Sequence, residues 1–284
     1  MKKITHRATP PPPPVDRMKG IKDFIELPHN KADLEAILGK RAPAFVVEVL
    51  QIISQDQQFQ LADLQSLMNA SKRAAMLGLS LDPSLHLAFI CPWKDPHTGK
   101  MYAQFQIGWR GLVDLCQRTD KYKTINVTDV REGELKGKDG LSGEYTWDWN
   151  QAKERETLPV IGYVSYFKLL SGFEKTLYWP VEKIVEHAMK YSESFNRKEG
   201  HWITDFPGMA KKTVLKSNLH DWGPKSTELV IAIESDQGII TGTEGKIQYF
   251  DNPNTPGVKE QTNRKIKADA GLAALKDKLS IKKK

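Results

Sequence analysis

The chain has 284 residues, 39% of them hydrophobic, with 42 Lys+Arg against 35 Asp+Glu, a net charge of +7 and two cysteines. This length and apolar content support one large or two small packed domains and exclude wholesale disorder, while Cys91 and Cys116 alone exclude a disulfide framework. No run approaches the ~18 apolar residues of a membrane span, and Pro10–Pro14 stand where a signal peptide would be apolar, so a reducing compartment, bacterial-type or nuclear, is expected.

The charge is unevenly placed. Residues 1–20 carry five Lys/Arg against Asp16, and residues 264–284 carry eight against Asp269 and Asp277. Of the +7, −3 therefore remains for residues 21–263. A body of that sign meets a polyanion only through local clusters. The two basic ends read equally as solvated tails or as interaction tails.

Residues 1–30, with the five-proline run, read as a flexible basic arm. Helical spacing begins at Lys31, and Pro43 suits the first turn of a helix over 44–53. Leu61, Leu64, Leu67, Met68 and Ala75 mark a second helix that stops near Gly78 and Pro83. Residues 85–90 and 101–107 read as a hairpin with a turn-rich tip. In its second strand Tyr102 and Gln104 face one way, and Ala103, Phe105 and Ile107 the other. A helix over 111–116 follows, then strands at 123–131, 144–150, 160–170 and 174–179, and helices from Pro180, Phe206 and Thr227. Residues 31–235 form the expected core and 236–263 a Gly/Pro/Asn/Thr-rich linker. Residues 264–284 form a basic tail with a short amphipathic helix. Helices, then strands, then helices define an α+β protein with helices around a small antiparallel sheet and hairpin core.

Several chemistries lack their motifs. Gly242-Thr243-Glu244-Gly245-Lys246 has the wrong spacing for a phosphate-cradling ATPase loop. No His/Cys set has zinc spacing, no G-x-S-x-G occurs, and no carboxylate pair is convincing. Three basic clusters stand out instead. Gly108-Trp109-Arg110-Gly111 joins a strand to a helix start, where free N–H groups, a guanidinium and a ring suit a nucleotide. The same string also fits a glycine-bounded turn with a core tryptophan. In Met209–Lys216, Lys212 and Lys216 share a helix face and repel unless an anion lies between them; Lys211 precedes them. That pair also fits a solvated face. Arg118, Lys121, Tyr122 and Lys123 interleave cations with a ring, as do Trp93, Lys94, Lys100 and Tyr102 at the hairpin tip.

These strings resemble the RecT family of phage and prophage single-strand annealing proteins. They run in family order over roughly residues 35–235: Ala74–Leu79 with Asp82-Pro83, Gln106–Leu112, Arg118-Thr119, Tyr122-Lys123, Ile125–Val127, Glu132–Glu134 and Met209–Lys216. Trp109 stands where the family has Tyr, and Asp120 where a glycine is common. The resemblance implies a Redβ/RecT-like α+β fold, DNA-dependent rings or helical filaments, and no ATP use. It also implies work alongside a phage exonuclease and, in some members, the host single-strand-binding protein. No cofactor is expected, with Mg²⁺ only affecting annealing.

Annealing must leave base edges free, so the protein should hold phosphates and sugars. On this reading Arg110, Lys212 and Lys216 bind phosphate, while Lys94, Lys100, Lys121, Lys123, Arg118 and Lys211 line a groove. Trp109 stacks or supports, the hairpin over 91–102 acts as a wedge between base groups, and Trp93, Tyr102 and Gln104 are further DNA-binding candidates. A passive single-stranded DNA-binding protein and a metal-dependent nuclease are the competing readings.

Overall fold

In the computed structural model, residues 17–95, 98–149, 153–241 and 246–252 are described. The first helix starts inside the stretch expected to be an arm. Helices α1 (Arg17–Ile25) and α2 (Pro28–Leu38) bury Ile21, Ile25 and Leu34. Ile21 and Ile25 are four apart and so share a face, which lies in the main core with Phe45 and Leu67. The expected arm is thus corrected from residue 17 onward, while Pro10–Pro14 lie outside the described residues. Helix α3 (Ala42–Gln55) carries Pro43 in its first turn and buries Phe45, Val49 and Ile53 at a spacing of four.

After the short α4 (Gln57–Gln60), α5 (Leu64–Met76) is capped by Asp63, whose carboxylate accepts the Ser66 N–H at 2.8 Å. It ends at Gly78, φ +61°, with the Leu79 N–H donating to the Ala74 carbonyl at 3.0 Å.

Strands β1 (Ala88–Lys94) and β2 (Met101–Ile107) pair antiparallel from Ala88 opposite Ile107 to Lys94 opposite Met101. Ala103, Phe105 and Ile107 point into the core, as the alternation predicts. Gln104, on the other face, is also buried and donates to the Gln237 carbonyl. Helix α6 (Trp109–Gln117) follows. Strands β3 (Tyr122–Arg131), β4 (Leu135–Lys138), β5 (Tyr145–Trp147), β6 (Val160–Leu169) and β7 (Glu174–Pro180) make a sheet of order β3-β6-β7 and a separate β4-β5 hairpin, all antiparallel.

Helices α7 (Val181–Tyr191), α8 (Glu193–Asn196), α9 (His201–Thr204), α10 (Phe206–Trp222) and α11 (Thr227–Ser235) close the body. Helix α10 crosses β3, β6 and β7 and packs on α6. Its Leu215 and Leu219 join the main core, while Met209, Ala210 and Val214 join a second core with Tyr163, Ile184 and Trp202. Two short strands follow, β8 (Ile239–Thr241) and β9 (Lys246–Gln248). Ile239 and Ile240 are buried, and Gly238 bridges to Phe105. The expected linker is therefore corrected over 236–241 and 246–252, which belong to the body. The basic tail lies outside the described residues.

A pH dependence is expected from α7. His187, on α7, lies against the rings of Trp179 and Tyr191, with centroids at 5.4 and 4.6 Å. Burial, and then Lys216, Lys190 and Lys183, push its imidazole down to about 4. The unfolded chain, with a histidine near pKa ~6.5, takes up the proton first. This contribution is therefore full above pH ~6.5 and is lost as pH falls to about 4, at no more than ~1.4 kcal/mol per pH unit. Urea unfolding at a series of pH values should show the decline, and His187→Gln should flatten it.

Candidate nucleic-acid interface

The N-terminus of α6 is the most anion-ready point of the sequence-predicted site. Gly108 precedes it in extended conformation and offers no side-chain cap, so the first N–H groups lack intrahelical partners. The Trp109 ring sits beneath two cations, with the Arg110 guanidinium 5.4 Å and the Lys211 ammonium 5.7 Å from a ring centroid. Arg110 is exposed, and Lys211 and Trp109 are half-buried. Among the described residues no carboxylate pairs with Arg110 or Lys211. The structure thus brings Lys211, from the second basic cluster, against Trp109 and Arg110 of the first.

The glycines of this turn are required by the chain's own packing. A Cβ on Gly108 would collide with the His86 carbonyl oxygen, and one on Gly111 with the Leu87 carbonyl oxygen. The Gly108 N–H donates to Leu87 O at 2.8 Å. The close approach they permit is therefore by the chain's own 86–87 segment.

Lys212 and Lys216 are corrected most. The anion between them is internal. Asp236, fully buried just after α11, accepts from Lys212 Nζ at 2.7 Å and Lys216 Nζ at 2.6 Å. It also accepts the Ile107 N–H at 3.2 Å. Burial pushes its carboxyl up, but the two ammoniums outweigh that and hold it below the ordinary value. Lys212 is 4% exposed, and its ammonium is pushed down by burial and by Lys216, against the pull of Asp236. These lysines therefore fix α10 and α11 to the end of β2, one residue before Gly108. Lys212 also lines a cavity of about 240 Å³ together with Trp109, His201 and Asp205. Beside it, Cys91 Sγ lies 3.4 Å from His201 Nε2, and burial pushes the thiol up to about 12.

The hairpin divides into covered and open parts. Trp93 is buried, and both it and Tyr102 stack on Phe250, at 5.5 and 5.9 Å. Trp93 and Gln104 are therefore corrected from DNA-binding candidates to packing. Lys94, Lys100 and Tyr102 line an open groove of about 730 Å³ with Leu61. Residues 96 and 97 at the tip lie outside the described residues.

In the third cluster Lys121 and Lys123 are exposed, but Tyr122 packs edge-on against Phe167 in the core. Arg118 is tied to Asp114 and donates to the carbonyls of Leu77 and Gly78 at 2.7 and 2.9 Å. It is thus corrected to a staple over the end of α5. Asp120 takes φ +53°, the left-handed region that glycine enters without strain. Glu134 likewise serves structure: it is 1% exposed, accepts the Arg131 N–H at 2.7 Å and pairs with Arg155 at 2.6 Å.

Sequence reading passed over one group. Tyr145, Trp147 and Trp149 alternate along β5 and its extension, so they share a face. Their rings stack in series, at 5.5 Å and then 5.0 Å. Aromatics at i, i+2 and i+4 were the signal that could have found them.

A family model described as the RecT family matches residues 43–249, and the chain belongs to that family, whose members are single-strand annealing and recombination proteins. The chain is 38% identical over 218 residues to "Uncharacterized protein YqaK" of Bacillus subtilis (strain 168), covering 76% of this chain and 72% of that protein. It is 28% identical over 250 residues to "Protein RecT" of Escherichia coli (strain K12), covering 74% and 88% respectively. No described helix is long and apolar enough to cross a membrane.

Proposed function

We propose that the protein binds single-stranded DNA and pairs complementary strands without ATP, as a homo-oligomer assembled on the DNA. One observation carries the reading: Trp109 held under Arg110 and Lys211 at an uncapped helix start. Cations there meet phosphates, and the ring meets a base or sugar without reading sequence. Lys94, Lys100, Lys121 and Lys123 extend the path, and repetition along an oligomer supplies the charge that the body lacks. The annealed duplex is the product, with a phage exonuclease supplying strands and the host single-strand-binding protein as a further partner, in the cytoplasm of a bacterial host.

The test mixes two complementary labelled oligonucleotides with the protein and no nucleotide, with and without Mg²⁺. Accelerated pairing in both conditions is expected. Protection without pairing supports a passive binder, and strand loss with Mg²⁺ a nuclease. Arg110→Ala should weaken strand binding and lower the salt slope by about one for each phosphate that the variant leaves unneutralised. An unchanged slope in a salt titration removes Arg110 from the interface.

A further inference from the structure

The sheet β3-β6-β7 has one face on α10, and its other face floors an open groove. The groove measures about 730 Å³, and the short polar side chains of Asn126, Thr128 and Thr176 line it. One wall is the aromatic series. Trp147 stacks on Tyr145 at 5.5 Å, and Trp149 on Trp147 at 5.0 Å with planes 16° apart. Tyr178 braces the series, its ring edge-on to both Tyr145 and Trp147 at 6.1 Å.

Aromatic clusters usually serve a core, but this one does not. None of its rings belongs to either apolar core. Trp149 ends the series among the described residues and is 37% exposed. A stack whose last ring is open, above a polar floor, accepts one more flat ring with hydrogen-bonding edges. One cation flanks the rings: Lys138 Nζ lies 5.3 Å over the Tyr145 ring. Among the described residues it is not paired with an acid. Lys175, in β7, turns its ammonium to the α10 face of the sheet, 4.2 Å over Trp222. Arg155 also lines the groove but is held by Glu134 and Asp129, and Glu174 is taken by Tyr166 and Lys168. Lys138 thus sits at the rings, where a strand's phosphates would pass.

We propose that this groove is a second DNA site, which stacks an unpaired nucleobase on Trp149 while Lys138 holds a flanking phosphate. The inference rests on the reading of the protein as a single-strand binder and deepens it. A paired base is covered on both faces by its neighbours, so this site grips a single strand and loses its hold as that strand pairs.

The experiment measures fluorescence anisotropy of the full-length protein with a labelled oligothymidylate and with an abasic backbone of equal length. Trp149→Ala should lose about tenfold in affinity for the oligothymidylate and little for the abasic strand. Trp149→Phe, which keeps a stacking face, should retain most of the affinity and controls for folding. Equal losses on both strands, or no loss on either, would overturn the proposal. So would a change in sedimentation of Trp149→Ala without DNA, which would make the groove an interface between copies. Failure of the wild-type protein to bind either oligonucleotide would overturn the broader reading, and that result is distinct from a silent Trp149→Ala.

Discussion

Asp236→Ala should destabilise the protein by about 3–5 kcal/mol, measured by urea unfolding. The substitution leaves Lys212, with a side chain only 6% exposed, as an unpaired buried ammonium, and it frees the Ile107 N–H. Lys216, at 25%, can swing partly into water and adds less. The large term is therefore the stranded Lys212 charge rather than the lost attraction. Combining Asp236→Ala with Lys212→Met should recover much of the loss, because an apolar chain of similar length tolerates that site. A double variant no more stable than Asp236→Ala alone would show that the charge is not the cause. By the same logic Lys212→Ala should weaken DNA binding through the fold. Any affinity measured for that variant needs its unfolding curve beside it.

Gly111→Ala should cost about 3 kcal/mol or more and broaden thermal unfolding. Its Cβ would meet the backbone carbonyl of Leu87 and crowd the Ile107 side chain, and neither can move without shifting β1 against β2. Gly108→Ala meets the His86 carbonyl and should behave alike. Gly99→Ala is the contrast. That residue lies at the hairpin tip with open space around it, and its φ of +69° is the only source of strain, so about 1 kcal/mol is expected. Equal losses at Gly99 and Gly111 would show that collision with the 86–87 segment is not what matters.

The sequence was most legible where one periodicity acts alone. Helix α3 follows its spacing-of-four pattern, and β2 puts Ala103, Phe105 and Ile107 inward as alternation requires. It was least legible where partners are distant in the chain. Lys212 and Lys216 do lie on one face, and the need for an anion between them followed from repulsion. That the anion is Asp236, beyond the next helix, has no local signal. The same holds for Trp93, whose cover, Phe250, comes from a stretch that composition marks as linker. Helix α1 was hidden by its neighbour: five prolines upstream colour the composition of the first 30 residues, yet Ile21 and Ile25 already carry a helical spacing. Trp109 and Arg110 were legible because a strand-to-helix junction displays its chemistry within a few residues, whereas nothing local says that Lys211 reaches it from α10.

The bond from Ile107 to Asp236 spans 129 residues, which bears on the order of assembly. Pairings between distant parts of a chain close late and slow the search for the native state. During synthesis the hairpin and α6 emerge long before Asp236 does. Until then Lys212 has no counter-ion, and the strand edge at Phe105 has no Gly238 to bridge. The turn that presents Trp109 and Arg110 is therefore locked only when nearly the whole body has left the ribosome. A nascent or truncated chain ending before Asp236 would display that turn without holding it in place.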